Sequence, residues 1–184
     1  MRVIAGSAKG LRLKSPASGT RPMADRMKES LFSALGEFDG FRVLDLYAGS
    51  GSLGLEALSR GAKHATFVEN AREAILKLDQ NIEVTKFGKR KTEVLWADVP
   101  QTISRHAKKR FNVVFLDPPY TISVDRVIAD LEALVTGGFL ADDGRIVVHR
   151  MAKERRLKPL GLKLLWEREY GQSRIWVFTH EEED

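Results

Sequence analysis

The sequence predicts an α/β protein built on an open, mostly parallel sheet, and three observations carry that expectation. From residue 41 onward, short apolar runs alternate with segments whose apolar residues recur at helical spacing. The runs R-V-L-D-L-Y (42–47), A-T-F-V-E (65–69), N-V-V-F-L-D (112–117) and R-I-V-V-H (145–149) are nearly continuous in apolar residues, as in strands buried on both faces. Finally, K-L-L-W-E-R-E-Y (163–170) and S-R-I-W-V-F-T (173–179) are joined by G-Q, which reads as an antiparallel hairpin. With T-E-V-L-W (92–96) this makes a seven-stranded sheet covered by helices, whose ligands should bind beyond the strands' carboxyl ends near the switch in strand order.

The elements follow in order. Residues 2–5 (R-V-I-A) and 11–13 (L-R-L), separated by G-S-A-K-G, read as a β-hairpin. The polar stretch S-P-A-S-G-T-R-P leads into a helix over about 24–35, where Met27, Leu31, Ala34 and Leu35 share a face and Gly36 offers a stop. After the strand at 42–47 comes a Gly-rich turn and a helix ending near Gly61. Asn70, with Glu73 three residues on, predicts a capping box for a helix with Ala74, Ile75, Leu78 and Ile82 on its apolar face. Pro100 suits a first helical turn, and Val124, Val127, Ile128, Leu131, Leu134 and Val135 form a clear helical stripe. The chain therefore divides into an N-terminal hairpin extension, 1–22, and a main domain, 23–184.

Composition narrows the classes. Of 184 residues, 43% are hydrophobic, enough for a real core. The absence of cysteine excludes disulfides and thiolate metal sites. The four histidines are scattered, so a metal site would need carboxylates alone, and none is expected. No apolar run approaches membrane-spanning length and the basic N-terminus lacks a signal peptide's apolar region, so a soluble cytoplasmic protein is expected. The formal charge of +5 is reached despite a terminal E-E-E-D. Arg2, Lys9, Arg12, Lys14, Arg21, Arg26 and Lys28 face a single acid, Asp25, within residues 1–28. Further basic knots occur at 86–91, at 105–110 and between Arg150 and Lys158. Any one knot could be a solvated surface; together they favour a polyanionic partner such as nucleic acid.

The turn after the first strand reads D-L-Y-A-G-S-G-S-L-G, with glycines at 49, 51 and 54. Alone such spacing is a weak signal; between a predicted strand and a helix it lets backbone approach a ligand and exposes amides at the helix start. Tyr47, Gly49, Ser50, Gly51 and Gly54 are the candidate cofactor residues of this turn. Glu69 ends the second strand 20 residues after Gly49, placed to accept hydrogen bonds from both hydroxyls of a ribose. Both a dinucleotide and S-adenosylmethionine fit. Asp45, inside a buried strand, favours the latter: a cofactor ammonium would give it or its network a partner, whereas a pyrophosphate would be repelled. Ala97 and Asp98 after the third strand add a group placed to reach an adenine edge, and Asn70 borders the same end. The expected architecture is thus a Rossmann-like S-adenosylmethionine-dependent methyltransferase fold.

Residues 117–120 read D-P-P-Y at the end of the fourth strand. Two successive prolines fix φ twice and give up two donors, which suits a loop held in one shape. The tetrapeptide fits the pattern of enzymes that methylate exocyclic amino groups. Such an amine is a poor nucleophile because its lone pair is delocalised into the ring. Asp117 and the Pro118 carbonyl can accept its two hydrogens and turn the lone pair toward an incoming methyl, while Tyr120 offers a face to an extruded base. The plain alternative is a strand-terminating turn with a packed tyrosine.

At this level of detail the chain resembles the bacterial RsmD-type 16S rRNA (guanine-N2)-methyltransferases. The resemblance rests on T-R-P-M-A-D-R-M-K-E-S-L-F (20–32), V-L-D-L-Y-A-G-S-G-S-L-G-L-E-A-L-S-R-G-A (43–62), F-V-E-N (67–70) and F-L-D-P-P-Y (115–120), with I-A-G-S-A-K-G-L-R-L-K-S-P similar to that family's N-terminal hairpin. It runs from residue 1 to about 120. It implies methylation of one guanine N2 in small-subunit rRNA, within an assembled or assembling particle, by an enzyme for which nothing demands an oligomer and a monomer is expected. It also implies that the hairpin, with Arg2, Lys9 and Arg12, and the T-R-P segment help hold substrate. Arg21, Arg26 and Lys28 then face RNA or organise the cofactor entrance, or else pair with Asp25 and Glu29 along the helix. One departure is V-V-H-R (147–150), where the family leads one to expect an acid: either His149 replaces a structural acid or substrate contacts differ there. The alternatives are an adenine-N6 or DNA amino-methyltransferase, a non-catalytic RNA-binding assembly factor, and, weakest, an NAD-dependent oxidoreductase.

Overall fold

The structure, a computed structural model, describes residues 1–15 and 23–181. Its elements in chain order are α1 (Asp25–Leu35), β1 (Arg42–Leu46), α2 (Ser52–Ser59), β2 (His64–Glu69), α3 (Arg72–Thr85), β3 (Thr92–Trp96), α4 (Val99–Ile103), β4 (Phe111–Leu116), α5 (Val124–Thr136), β5 (Leu140–Met151), β6 (Leu162–Tyr170) and β7 (Ser173–His180). The strands form one seven-stranded sheet in the order β3-β2-β1-β4-β5-β7-β6. Pairings from β3 through β5 are parallel, and β7 runs antiparallel to both β5 and β6. The chain steps outward from β1 to β3 and then returns to β4 on the other side of β1. The switch point therefore lies between the carboxyl ends of β1 and β4, where the Gly-rich turn and D-P-P-Y emerge.

Alternation along the strands divides the core into two layers. Val43, Ala65, Phe67, Val113, Phe115 and Val147 pack with α1, α2 and Leu78 of α3. Leu44, Leu46, Val68, Val114, Leu116 and Val148 pack with α5 and with Val99 and Ile103 of α4. Within α1, Met27, Leu31 and Leu35 recur at i, i+4 and i+8 and are buried, and Gly36 at φ 83° closes the helix by donating its N–H to Phe32 O at 3.1 Å. Helix α5 is capped by Ser123 Oγ, which accepts from Arg126 N.

Two local expectations are corrected. The N-terminal hairpin reduces to one antiparallel bridge, Arg2 with Arg12, because helix α2 competes for the backbone between them. Ile4 N and Ala5 N donate to the Glu56 carboxylate at 2.8 and 3.1 Å, and Ser7 N and Ala8 N donate to Ser59 O and Oγ. A Cβ on Gly6 would lie 1.7 Å from Ser59 O, so only glycine permits this approach. Val3, Ala8 and Leu13 are accordingly buried in the same core layer as α1 and α2. The capping box at Asn70 does not form either: α3 begins at Arg72, and the amides of Asn70 and Ala71 are taken by Glu69. Strand β5 is longer than predicted, starting at Leu140. No helix among the described residues is long and apolar enough to cross a membrane.

Candidate active site at the sheet's switch point

The Gly-rich turn is shaped by backbone and packing together. Gly49 adopts φ 57°, and a Cβ there would meet nothing within 4 Å, so the backbone borders open space where a ligand can approach. At Gly54 the reason is contact: a Cβ would lie 2.3 Å from the Phe67 ring. Ser50 is buried and its carbonyl accepts from Asn81 Nδ2 at 2.9 Å, fixing the turn against α3.

Asp45 differs from expectation. It is 1% exposed, and its Oδ2 accepts the Gly54 N–H at 2.9 Å, so it anchors the turn from below and presents no free oxygen to a cofactor ammonium. Burial pushes its carboxyl well above the usual 3.8; the Gly54 hydrogen bond opposes this, and the charges of Asp117 and Glu69 add to it. From about pH 3.8 upward the folded chain thus holds a proton that the unfolded chain has released. Asp45's contribution to stability is complete below that pH and is lost as pH rises through the folded pKa. Unfolding by urea across pH 4–8 should show this decline in the wild type and a flatter profile in Asp45→Asn; parallel profiles would contradict it.

Glu69 stands across the turn. Its Oε2 accepts Gly49 N at 2.8 Å, and its Oε1 accepts Asn70 N and Ala71 N at 2.9 and 2.8 Å. Three of about four carboxylate acceptor positions are filled, so receiving two ribose hydroxyls would require one amide to yield. Asn70 Nδ2 donates to Asp98 Oδ1 at 2.6 Å, and Ala97 N donates to Glu69 O, which ties the ends of β2 and β3 into one rim. Tyr47, at φ 58°, sends its hydroxyl to Asp130 Oδ2 on α5 at 2.7 Å. Burial, then that carboxylate, raises its pKa, so the hydroxyl is committed to a structural bond and is not available to a cofactor.

The D-P-P-Y loop is held from β5. Arg150, 1% exposed, donates to Pro119 O at 2.9 Å and Ile122 O at 2.6 Å, and reaches Pro118 O at 3.4 Å. Glu154 pairs with the same guanidinium at 2.8 and 2.9 Å. The long Pro118 contact leaves that carbonyl with capacity for a second donor. Asp117 Oδ1 lies 2.8 Å from His149 Nδ1, so His149 orients the carboxylate. Tyr120 is 39% exposed, edge-on to His149 and beside Arg150. A cleft of about 410 Å³ opens here between Tyr120, His149, α1 and the β6–β7 turn. A second cleft, of about 500 Å³, lies on the α4 side of the sheet and includes Ala97 but none of the Asp117 loop.

Sequence reasoning missed Arg150, Glu154 and the orienting role of His149. The basic knot after Arg150 was expected on the surface, yet its first member is buried; a charged residue closing an apolar strand, with an acid four residues on, was the available signal. Lys28 is also corrected. It is 0% exposed, with Nζ 2.6 Å from Arg2 O, 3.0 Å from Ser52 Oγ and 3.5 Å from Glu56 Oε2, and so cannot face RNA. Burial lowers its pKa, opposed by Glu56 and Asp25. Arg2 pairs with Asp25, while Lys9, Arg12 and Arg26 are exposed. Arg2, Lys9 and Arg26 line a groove of about 440 Å³ beside Asp25 and Glu29. Arg21 lies outside the described residues. Among the described residues, no group of three or more His, Asp or Glu is placed to hold a metal ion.

Comparison with known proteins extends these features. The putative rRNA methyltransferase YlbH of Bacillus subtilis is 50% identical over 91 residues, 48% of this chain and 50% of that protein. Ribosomal RNA small subunit methyltransferase D of Haemophilus influenzae is 42% identical over 97 residues, 52% of this chain and 50% of its own length. The chain thus spans about half the length of the curated relatives it matches. A solved structure, a putative methyltransferase yhhF from Escherichia coli, superposes with a TM-score of 0.87 at 31% identity, covering 100% of this chain and 99% of that one. A single family model runs from residue 1 to residue 179, taking in the arm, both loops and the C-terminal hairpin. On that span the chain belongs to the family described as Conserved hypothetical protein 95, the RsmD family its motifs resemble.

Proposed function

We propose that this protein transfers the methyl group of S-adenosylmethionine to the exocyclic N2 of a guanine in small-subunit rRNA. The observation that carries the proposal is the Asp117 loop, pinned by Arg150 and oriented by His149 directly across the switch point from the Gly49 turn and Glu69. The names of the curated relatives favour rRNA as the substrate class.

The residues present fit the cofactor. Gly49 borders open space and Glu69 stands at the rim for a ribose, with Asn70, Ala97 and Asp98 beside it for the base. When bound, S-adenosylmethionine supplies an electrophilic methyl group on a sulfonium. The protein's own part is positioning. Asp117 and the Pro118 carbonyl accept the amine's two N–H groups, turn its lone pair out of conjugation, and offset positive charge growing on nitrogen. Arg150 keeps the loop in place, so the acceptors need not reorganise during transfer. Tyr120 supplies the stacking face. The groove of Arg2, Lys9 and Arg26 and the exposed Arg12 meet phosphates. On this proposal the enzyme acts as a cytoplasmic monomer, without a metal, on assembled or assembling small ribosomal subunits.

The test incubates the protein and methyl-labelled S-adenosylmethionine with small subunits from a strain lacking the enzyme, with naked rRNA and duplex DNA in parallel. Labelled N2-methylguanosine is expected from the subunits. Label on adenine, or in DNA, would sink the guanine assignment, and subunit binding without transfer would favour a non-catalytic assembly role.

A further inference from the structure

Among the described residues, two buried side-chain atoms have no hydrogen-bond partner: Glu167 Oε2 and His149 Nε2. His149 lines the cleft beneath Tyr120, within the proposed site. Buried polar atoms are normally satisfied, and an exception at a site asks what completes it. The ring's chemistry is set by its other nitrogen. An ionised carboxylate can only accept, so the 2.8 Å contact to Asp117 Oδ1 requires hydrogen on Nδ1. In the neutral ring Nε2 is then a lone-pair acceptor.

We propose that His149 determines base specificity by accepting the N1–H of guanine while Asp117 and Pro118 hold the neighbouring N2 amine. The inference rests on the methyl-transfer proposal above. A guanine presents two donors side by side, N1–H and N2–H. An adenine presents its N6 amine beside the N1 lone pair. Asp117 and the Pro118 carbonyl suit either amine, since each offers two hydrogens; they cannot choose between the bases. An acceptor at Nε2 can: it matches guanine N1–H and sets lone pair against lone pair with adenine. A site built to hydrogen-bond a donor strongly rejects the analogue lacking it, because its own buried group is left unpaired. Nε2 is covered in this structure, and Tyr120, edge-on to the imidazole with centroids 6.2 Å apart, is the side chain whose rotation opens it to an entering base.

The test uses small subunits reassembled with rRNA carrying either guanine or 2-aminopurine at the position labelled in the assay above. 2-Aminopurine keeps the amine at C2 but has a lone pair at N1. Two variants separate His149's two contacts: in His149→Asn the side-chain amide can occupy the place of Nδ1 with nothing at Nε2, and His149→Gln can place an acceptor near Nε2. Wild type should prefer guanine by about 10²-fold or more in kcat/KM. His149→Asn should bring that ratio to within about threefold of unity, and His149→Gln should keep most of it while slowing both reactions through the loss of Asp117's orientation. A merely structural role would slow both substrates alike and leave the ratio unmoved; an unchanged ratio in folded His149→Asn overturns the inference. If that variant does not fold, a ratio near unity in folded His149→Gln overturns it equally. Failure of wild type to label guanosine at all would instead overturn the methyl-transfer proposal, and this inference with it.

Discussion

Replacing Asp117 with alanine should lower kcat for methyl transfer to small subunits by about 10²–10³-fold, the scale of removing one preorganised group that faces developing charge. The carboxylate's interaction grows as positive charge builds on the amine nitrogen, so the loss falls on the transition state more than on substrate binding. Single-turnover labelling read beside subunit binding separates the two: transfer collapses and binding survives. Asp117→Asn keeps the shape and one acceptor oxygen but loses the charge, and should fall between alanine and wild type. Because His149 Nδ1 loses its partner in Asp117→Ala, the melting temperature is measured alongside. A folded Asp117→Ala protein within tenfold of wild type would remove Asp117 from the mechanism.

The second large effect concerns stability. Glu56→Ala should cost about 3–5 kcal/mol, the usual result of removing one partner from a buried ion pair. Glu56 is fully buried, with the Lys28 ammonium 3.5 Å away, Arg60 Nε at 2.8 Å, and the amides of Ile4 and Ala5 as donors. Its removal leaves a buried cation without its counter-charge and unmoors the N-terminal arm. Lys28 then sheds its proton more readily. In the window between its lowered folded pKa and the ordinary 10.5, the unfolded chain binds more protons, so the deficit should shrink as pH rises. Adding Lys28→Met should recover part of the loss, because the stranded charge is gone. Urea unfolding of the single and double variants checks this; a single-variant loss below about 1 kcal/mol would mean the pair contributes little.

These two sites differ in how far the sequence revealed them. Asp117 was legible because its chemistry is local: four consecutive residues at the end of an apolar strand carry the signal. The Gly49 turn and Glu69 were legible for the same reason, through strand, turn and helix in sequence. Glu56 and Lys28 were not, since 28 residues separate them and neither position names its partner. One hint was present: Lys28 is three and seven residues before Leu31 and Leu35, on the apolar side of α1. Arg150 was hidden in the same way, because its carbonyl acceptors lie about 30 residues earlier and a carbonyl leaves no mark in the sequence. The capping box failed through competition. Glu69, read as a ribose ligand, also takes the amides that a cap at Asn70 would need free.

The order of strands at the C-terminal side has a consequence for biosynthesis. Strand β7 is made after β6, yet it lies between β5 and β6. While the chain is being translated, β6 emerges with no edge to join, since its ladder partner is still to come and β5 pairs only with β7 on that side. The hairpin must therefore add as a unit, after residue 180 has been made, and until then β5 is an open edge. His149 and Arg150, which orient and pin the Asp117 loop, lie on that strand opposite Ile175 and Arg174. The loop's support is thus among the last parts of the protein to be secured, and a nascent chain can bury most of its core well before it can hold an amine in place.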